Sequence, residues 1–125
     1  METPELREQL LELLRAWGAG AIDETQVRDT AEQLEPTWDA WEELDRTAVA
    51  DVPPLLDAMA EMLTTLSDLH VHLVTRADIP AMIECLQAVD QDPVGALAGW
   101  VAYSDGVDWK ARGRELRDNP FYLAH

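Results

Sequence analysis

Two histidines stand one residue apart behind an aspartate in the run Asp68, Leu69, His70, Val71, His72, Leu73. Imidazole nitrogens are common metal ligands and a carboxylate can join them, so this hexapeptide is the first place to look for metal-assisted hydrolysis. The backbone decides whether it can work. On a strand, residues i and i+2 point the same way and both rings can reach one ion, whereas on a helix they diverge by about 200 degrees. The local alternation of His70, Val71, His72 and Leu73 suits a strand, but the longer pattern around it does not. Leu55, Met59, Met62, Leu66, Leu69 and Leu73 recur at alternating steps of four and three, an apolar helical seam that runs straight through the histidines.

Asp-x-His-x-His resembles the metal-binding first strand of the amidohydrolase family, and the resemblance implies His70 and His72 as ligands of one ion. It covers six residues. That family is built on a TIM barrel of about 250 residues, and this chain has 125. The remaining ligands have no counterpart either: the third histidine is His125, and the lone lysine, Lys110, lies in no equivalent of a bridging-lysine segment. A helical di-metal site needs Glu-x-x-His on facing helices, yet Ser67 and Leu69 occupy the positions three before His70 and His72. Asp57 and Glu61, four apart, read as a solvated face. The expectation is no metal, no cofactor and no catalytic group, with a metal-dependent hydrolase using His70 and His72 as a minor alternative.

Nucleophilic chemistry has less to stand on. Cys85, between Glu84 and Leu86 in an amphipathic pattern, reads as a small semi-buried hydrophobe. Neither a Gly-x-Ser-x-Gly elbow nor a phosphate-cradling glycine loop is present. Gly95 and Gly99, four apart, suggest close helix packing.

The elements that must carry these residues are helical throughout. Thr3 and Pro4 mark a start, and Leu6, Leu10, Leu13, Leu14 and Trp17 form one stripe ending near Gly18 and Gly20. Asp23 with Gln26 makes a capping box, Ile22 with Val27 a hydrophobic staple, and Val27, Ala31 and Leu34 an inner face that Pro36 is expected to end. A short helix is predicted over Thr37–Thr47, then the seam from Leu55 after a break at Asp51–Pro54. Three further starts lie at Asp78 near Pro80, at Asp92 before Pro93, and at Asp108. The fold class is all-α: one compact bundle of five to seven amphipathic helices with short loops, residues 1–125 forming a single helical domain.

Charge narrows the function classes. The net charge is −16, and it is uneven: residues 1–68 hold 17 Asp and Glu against 4 Arg, while residues 69–125 hold 8 against 5 basic residues. Such a field repels nucleic-acid phosphates and anionic lipid and attracts basic proteins. No run approaches the roughly 18 apolar residues of a membrane span. The single cysteine cannot close an internal disulfide, and the opening residues are charged within their apolar run, unlike a secretory signal, so a cytoplasmic setting is expected. Adaptation to high salt would also favour such acidity with one Lys beside eight Arg.

Acid and indole coincide between Glu35 and Asp45. Trp38 and Trp41 are spaced to share a helical face, and Asp39, Glu42, Glu43 and Asp45 surround them. Tryptophan anchors and steering carboxylates suit recognition of a basic protein surface, though the same indoles would also serve as core plugs. Four bases in Lys110–Arg117 are expected to lie against the acidic half of the same molecule or of a second copy. The apolar tail Phe121, Tyr122, Leu123 is expected to dock. The leading expectation is thus a small acidic protein-binding module, an inhibitor or immunity-type partner of a basic, nucleic-acid-acting protein. The alternative is a homo-oligomeric structural or adaptor protein, with the seam and C-terminal half forming a homodimer.

Overall fold

The computed structural model describes the backbone of residues 3–47, 53–89 and 91–123, and the side chains of residues 5–35, 58–89 and 91–122. Among them lie seven α-helices: α1 (Thr3–Gly18), α2 (Glu24–Thr47), α3 (Pro53–Ser67), α4 (Ile79–Ala88), α5 (Pro93–Asp105), α6 (Trp109–Leu116) and α7 (Pro120–Leu123). A single 3-10 turn, Arg76–Asp78, leads into α4. No strand occurs among the described residues, and none of their helices is long and apolar enough to cross a membrane.

Contacts run α1 to α2, α2 to α3, α3 to α4 and α4 back to α1, closing a ring of four helices, and α5 packs outside it across α3 and α4. The ring is filled from the expected stripes. Leu6, Leu10, Leu14 and Trp17 of α1, Val27 and Ala31 of α2, Met59, Met62 and Leu66 of α3, and Met82 and Leu86 of α4 are all buried. Unbranched methionine, with its soft thioether, fills irregular space that the chain's lone phenylalanine cannot.

Local chemistry sets most of the helix ends. Asp23 and Gln26 exchange the two capping-box bonds, 3.0 and 2.9 Å. Asp92 accepts from the Gly95 amide at 2.9 Å, and Asp108 from the Ala111 amide at 3.0 Å. At the end of α1 the Ala21 amide reaches the Ala16 carbonyl and the Gly20 amide reaches Trp17, with Gly20 at φ +79°. That is a Schellman stop, which needs the left-handed conformation glycine adopts without cost.

Two boundaries differ from the sequence expectation. Pro36 does not end a helix: α2 continues through it to Thr47, so the helix predicted over Thr37–Thr47 is the second half of a 24-residue element. An internal proline removes one helical hydrogen bond and costs about 3 kcal/mol. Here that local penalty is offset by the packing of α2 along α3. The seam helix, in turn, stops at Ser67, and residues 68–73 are hydrogen-bonded turn rather than helix or strand. The Val71 and His72 amides both reach the Asp68 carbonyl, and the Val74 amide spans back to Leu69. Leu73 sits at φ +56° where a glycine would be expected. The apolar spacing survives the change, since Leu69 is buried and Leu73 half-buried.

The two glycines of α5 serve different ends, and close helix packing is neither of them. A methyl group on Gly95 would fall 2.1 Å from an Asp92 carboxylate oxygen, so the cap itself requires glycine, whereas Gly99 has nothing within 4 Å. Gly99→Ala is therefore expected to raise the unfolding free energy by about 0.5–1 kcal/mol through helix propensity. Gly95→Ala is expected to lower it by about 1 kcal/mol or more through loss of the cap. Urea denaturation of the two variants reads both signs.

Candidate functional site

The predicted recognition residues Trp38, Asp39, Trp41, Glu42, Glu43 and Asp45 fall on the second half of α2, and their side chains lie outside the described residues. What is described is the acidic side that leads to them. Glu5, Glu8 and Glu12 on α1 are exposed, as are Asp23, Asp29 and Glu32 at and along α2, and Arg15 is the one exposed base of these segments among the described residues. Arg28 is engaged by Asp29 at 3.3 Å and stacks over the Phe121 ring at 5.1 Å. A shallow groove runs between α1 and α2, lined by Gln9, Glu12, Leu13, Thr30 and Leu34.

The turn at 68–73 sends its two imidazoles to different neighbours. His70 is half-buried and meets the Phe121 ring edge-on at 5.7 Å. His72 is exposed and lines a pocket with Glu61 and Trp109. Among the described residues no three His, Cys, Asp or Glu side chains group closely enough to hold a metal ion. The seam expected to pair two molecules is also spoken for, because Met59, Met62, Leu66 and Leu69 are buried within the chain.

The densest polar constellation is one that the sequence did not announce. Asp78 is fully buried. One carboxylate oxygen accepts from the Tyr103 hydroxyl at 2.6 Å, and the other from the Arg112 guanidinium at 2.6 Å and the Thr75 amide at 2.9 Å. Arg112 also donates to the Leu73 carbonyl at 3.2 Å and lies over the Trp109 ring at 5.1 Å. Its pKa is raised: burial works against the cation, but Asp78 and Tyr103 more than offset that. The only local clue is Thr75 with Asp78 three residues on, a capping box. Tyr103 and Arg112 lie on α5 and α6, and neither pairing leaves a short-range trace.

Within the chain the basic run does not lie against the acidic first half as a whole. Arg112 meets Asp78 in the chain's less acidic half, while Lys110, Arg114 and Arg117 are exposed. The tail docks, with the Tyr122 hydroxyl donating to the Val74 carbonyl at 2.5 Å in a buried position. Together these bonds hold α5, α6 and α7 against the segment between α3 and α4. A neutral, well-satisfied cluster of this kind positions backbone and offers no free acid or base for catalysis.

Two further concave features lie among the described residues. A cleft of about 340 Å³ between α4 and α5 is lined by Ala81, Cys85, Ala88, Gly99, Trp100 and Tyr103 among others. Burial, joined by the Glu61 carboxylate, pushes the Cys85 thiol up to about 11. At pH 8 iodoacetamide is accordingly expected to label folded Cys85 about a hundredfold more slowly than the unfolded chain, because little thiolate forms. Burial likewise raises the Tyr103 and Tyr122 hydroxyls, with Asp78 adding to both and Glu24 to Tyr122. All three groups hold their protons longer folded than unfolded, so their contribution is complete below the unfolded values, about 8.5 for Cys and about 10 for Tyr. It is lost as pH rises through the folded ones. The urea midpoint is expected to fall between pH 8 and pH 10.5.

The second pocket, about 280 Å³, opens between α3, α5, α6 and the histidine turn. No known protein family, curated protein or solved structure matches the chain.

Proposed function

We propose that this chain is a small acidic binding module whose α1 and α2 side captures a basic protein surface, in the manner of an inhibitor or immunity-type partner of a nucleic-acid-acting protein. One observation carries the reading: Glu5, Glu8, Glu12, Asp23, Asp29 and Glu32 are exposed on or beside the first two helices, with Arg15 as the exposed base of these segments among the described residues. Carboxylates in this arrangement steer a cationic surface into encounter over a distance set by the Debye length. The tryptophans of the continuing helix, Trp38 and Trp41, would supply buried anchors, and Asp39, Glu42, Glu43 and Asp45 would extend the field.

The test begins with capture from native lysate at low salt and identification of the bound protein. Association is then followed by stopped flow. Charge reversal at Glu8, Glu12 and Glu32, and separately at Glu42 and Glu43, is expected to slow association about tenfold or more at low ionic strength, with a smaller effect at high salt and little change in dissociation. Association that ignores both salt and these reversals would sink the reading.

A second reading, a homo-oligomer, is supported by α5. From Pro93 to Ser104 the helix carries no charged residue, and Val94 and Val101 are 63% and 46% exposed. Light scattering over a range of concentrations, with and without a captured partner, separates the two readings.

A further inference from the structure

We infer that the pocket between α3, α5 and α6 is a binding site for an organic cation, a guanidinium or a primary alkylammonium. Its volume of about 280 Å³ suits a small head group rather than a large ligand. The side chains that bear on its chemistry are Glu61, Thr65, His72, Trp100, Ser104 and Trp109. Two indoles and a carboxylate in one concavity is the composition that attracts a positive charge, through the ring quadrupole and through a charge-assisted hydrogen bond.

The charge of Glu61 sets the sign of the ligand. The two indole donors and the neighbouring guanidinium are already committed inside the protein. Trp100 Nε1–H donates to Glu61 Oε1 at 3.3 Å, and Trp109 Nε1–H donates to the Ser104 carbonyl at 3.0 Å. The Arg112 guanidinium, which lies over the Trp109 ring, is neutralised by Asp78 at 2.6 Å. Left for a ligand are the second oxygen of Glu61, which only accepts, the hydroxyls of Thr65 and Ser104, which accept or donate, and the His72 imidazole; the carboxylate supplies the formal charge. A donor-rich cation can be bonded by the carboxylate and the hydroxyls together, whereas a carboxylate or phosphate would be repelled by Glu61. The walls are also held in place, since Trp100 stacks on Tyr103 at 5.6 Å and Tyr103 is fastened to Asp78. This site is separate from the acidic side of α1 and α2, so the two assignments stand or fall independently.

The test titrates the intact protein with n-butylguanidinium and n-butylammonium, and with uncharged n-butylurea at matched ionic strength, following the indole Nε1–H resonances by NMR. Both cations are expected to shift the Trp100 and Trp109 signals saturably, about tenfold or more tighter than butylurea. Glu61→Gln keeps an acceptor for Trp100 but removes the charge, and is expected to weaken the cations about tenfold while leaving thermal unfolding in place. A short acetylated and amidated peptide with one arginine distinguishes the source. Tighter binding than free butylguanidinium points to a side chain of a protein partner, and weaker binding to a free amine. Equal affinity for butylurea, unchanged affinity in Glu61→Gln, or shifts confined to α1 and α2 signals would each overturn the assignment.

Discussion

Arg112→Met is expected to lower the unfolding free energy by about 3–5 kcal/mol, because it leaves the Asp78 carboxylate buried without its counter-charge. Asp78 is fully buried and the Arg112 side chain is 12% exposed, so water cannot replace the lost guanidinium as it would at a surface pair. Methionine keeps much of the unbranched stem that packs near Trp109, and the loss therefore reports the charge and its hydrogen bonds rather than a cavity. Tyr103→Phe removes one neutral donor and should cost less, about 1–2 kcal/mol. The double variant Asp78→Asn with Arg112→Met should recover part of the single loss, since no buried charge is then stranded. Hydrogen exchange in α6 and α7 should rise with Arg112→Met, because Arg112 also holds the Leu73 carbonyl. An Arg112→Met variant within about 1 kcal/mol of wild type would show that α6 is held by packing alone.

That cluster also shows where sequence reading stops. The caps at Asp23, Asp92 and Asp108 were legible because each bond closes within three residues. The stripes through Leu6, Leu10 and Leu14 and through Met59, Met62 and Leu66 were legible because burial follows a helical period. Asp78 pairs with partners 25 and 34 residues away, and nothing in the spacing of Asp, Tyr and Arg encodes such a meeting. Pro36 misled for the opposite reason. Its local signal is strong and correct about cost, but α2 recovers that cost along α3, a term that a local rule cannot see. At residues 68–73 the period persisted past the end of α3, because a turn can deliver Leu69 to the core as well as a helix can.

The same geometry bears on how charge is used. The four-helix ring puts α1 and α2 on one side, and α5 packs across α3 and α4 on the other. Glu5, Glu8, Glu12, Asp23, Asp29 and Glu32 are exposed on or beside the first two helices, while α5 presents Val94 and Val101 from an uncharged run. A basic partner and a second copy of the chain would therefore meet different surfaces and need not compete. Salt is the discriminating variable: screening weakens the first contact and leaves the second largely untouched.

Trp17→Ala is expected to cost about 3–5 kcal/mol, as removal of a large buried ring usually does. Trp17 is 1% exposed at the end of α1, where α1 meets both α2 and α4, so little can collapse into the space. The informative variant is Trp17→Phe. The indole Nε1–H is buried and finds no acceptor among the described residues, and a buried unsatisfied donor costs about 1–3 kcal/mol. Phenylalanine removes that donor while losing only part of the ring, so the two effects oppose and the net change should stay within about 1 kcal/mol. Leucine, which also lacks the donor but leaves a larger void, should fall between phenylalanine and alanine. If Trp17→Phe is instead as damaging as Trp17→Ala in urea denaturation, the nitrogen has a partner that matters, and Trp17 is held by a hydrogen bond as well as by packing.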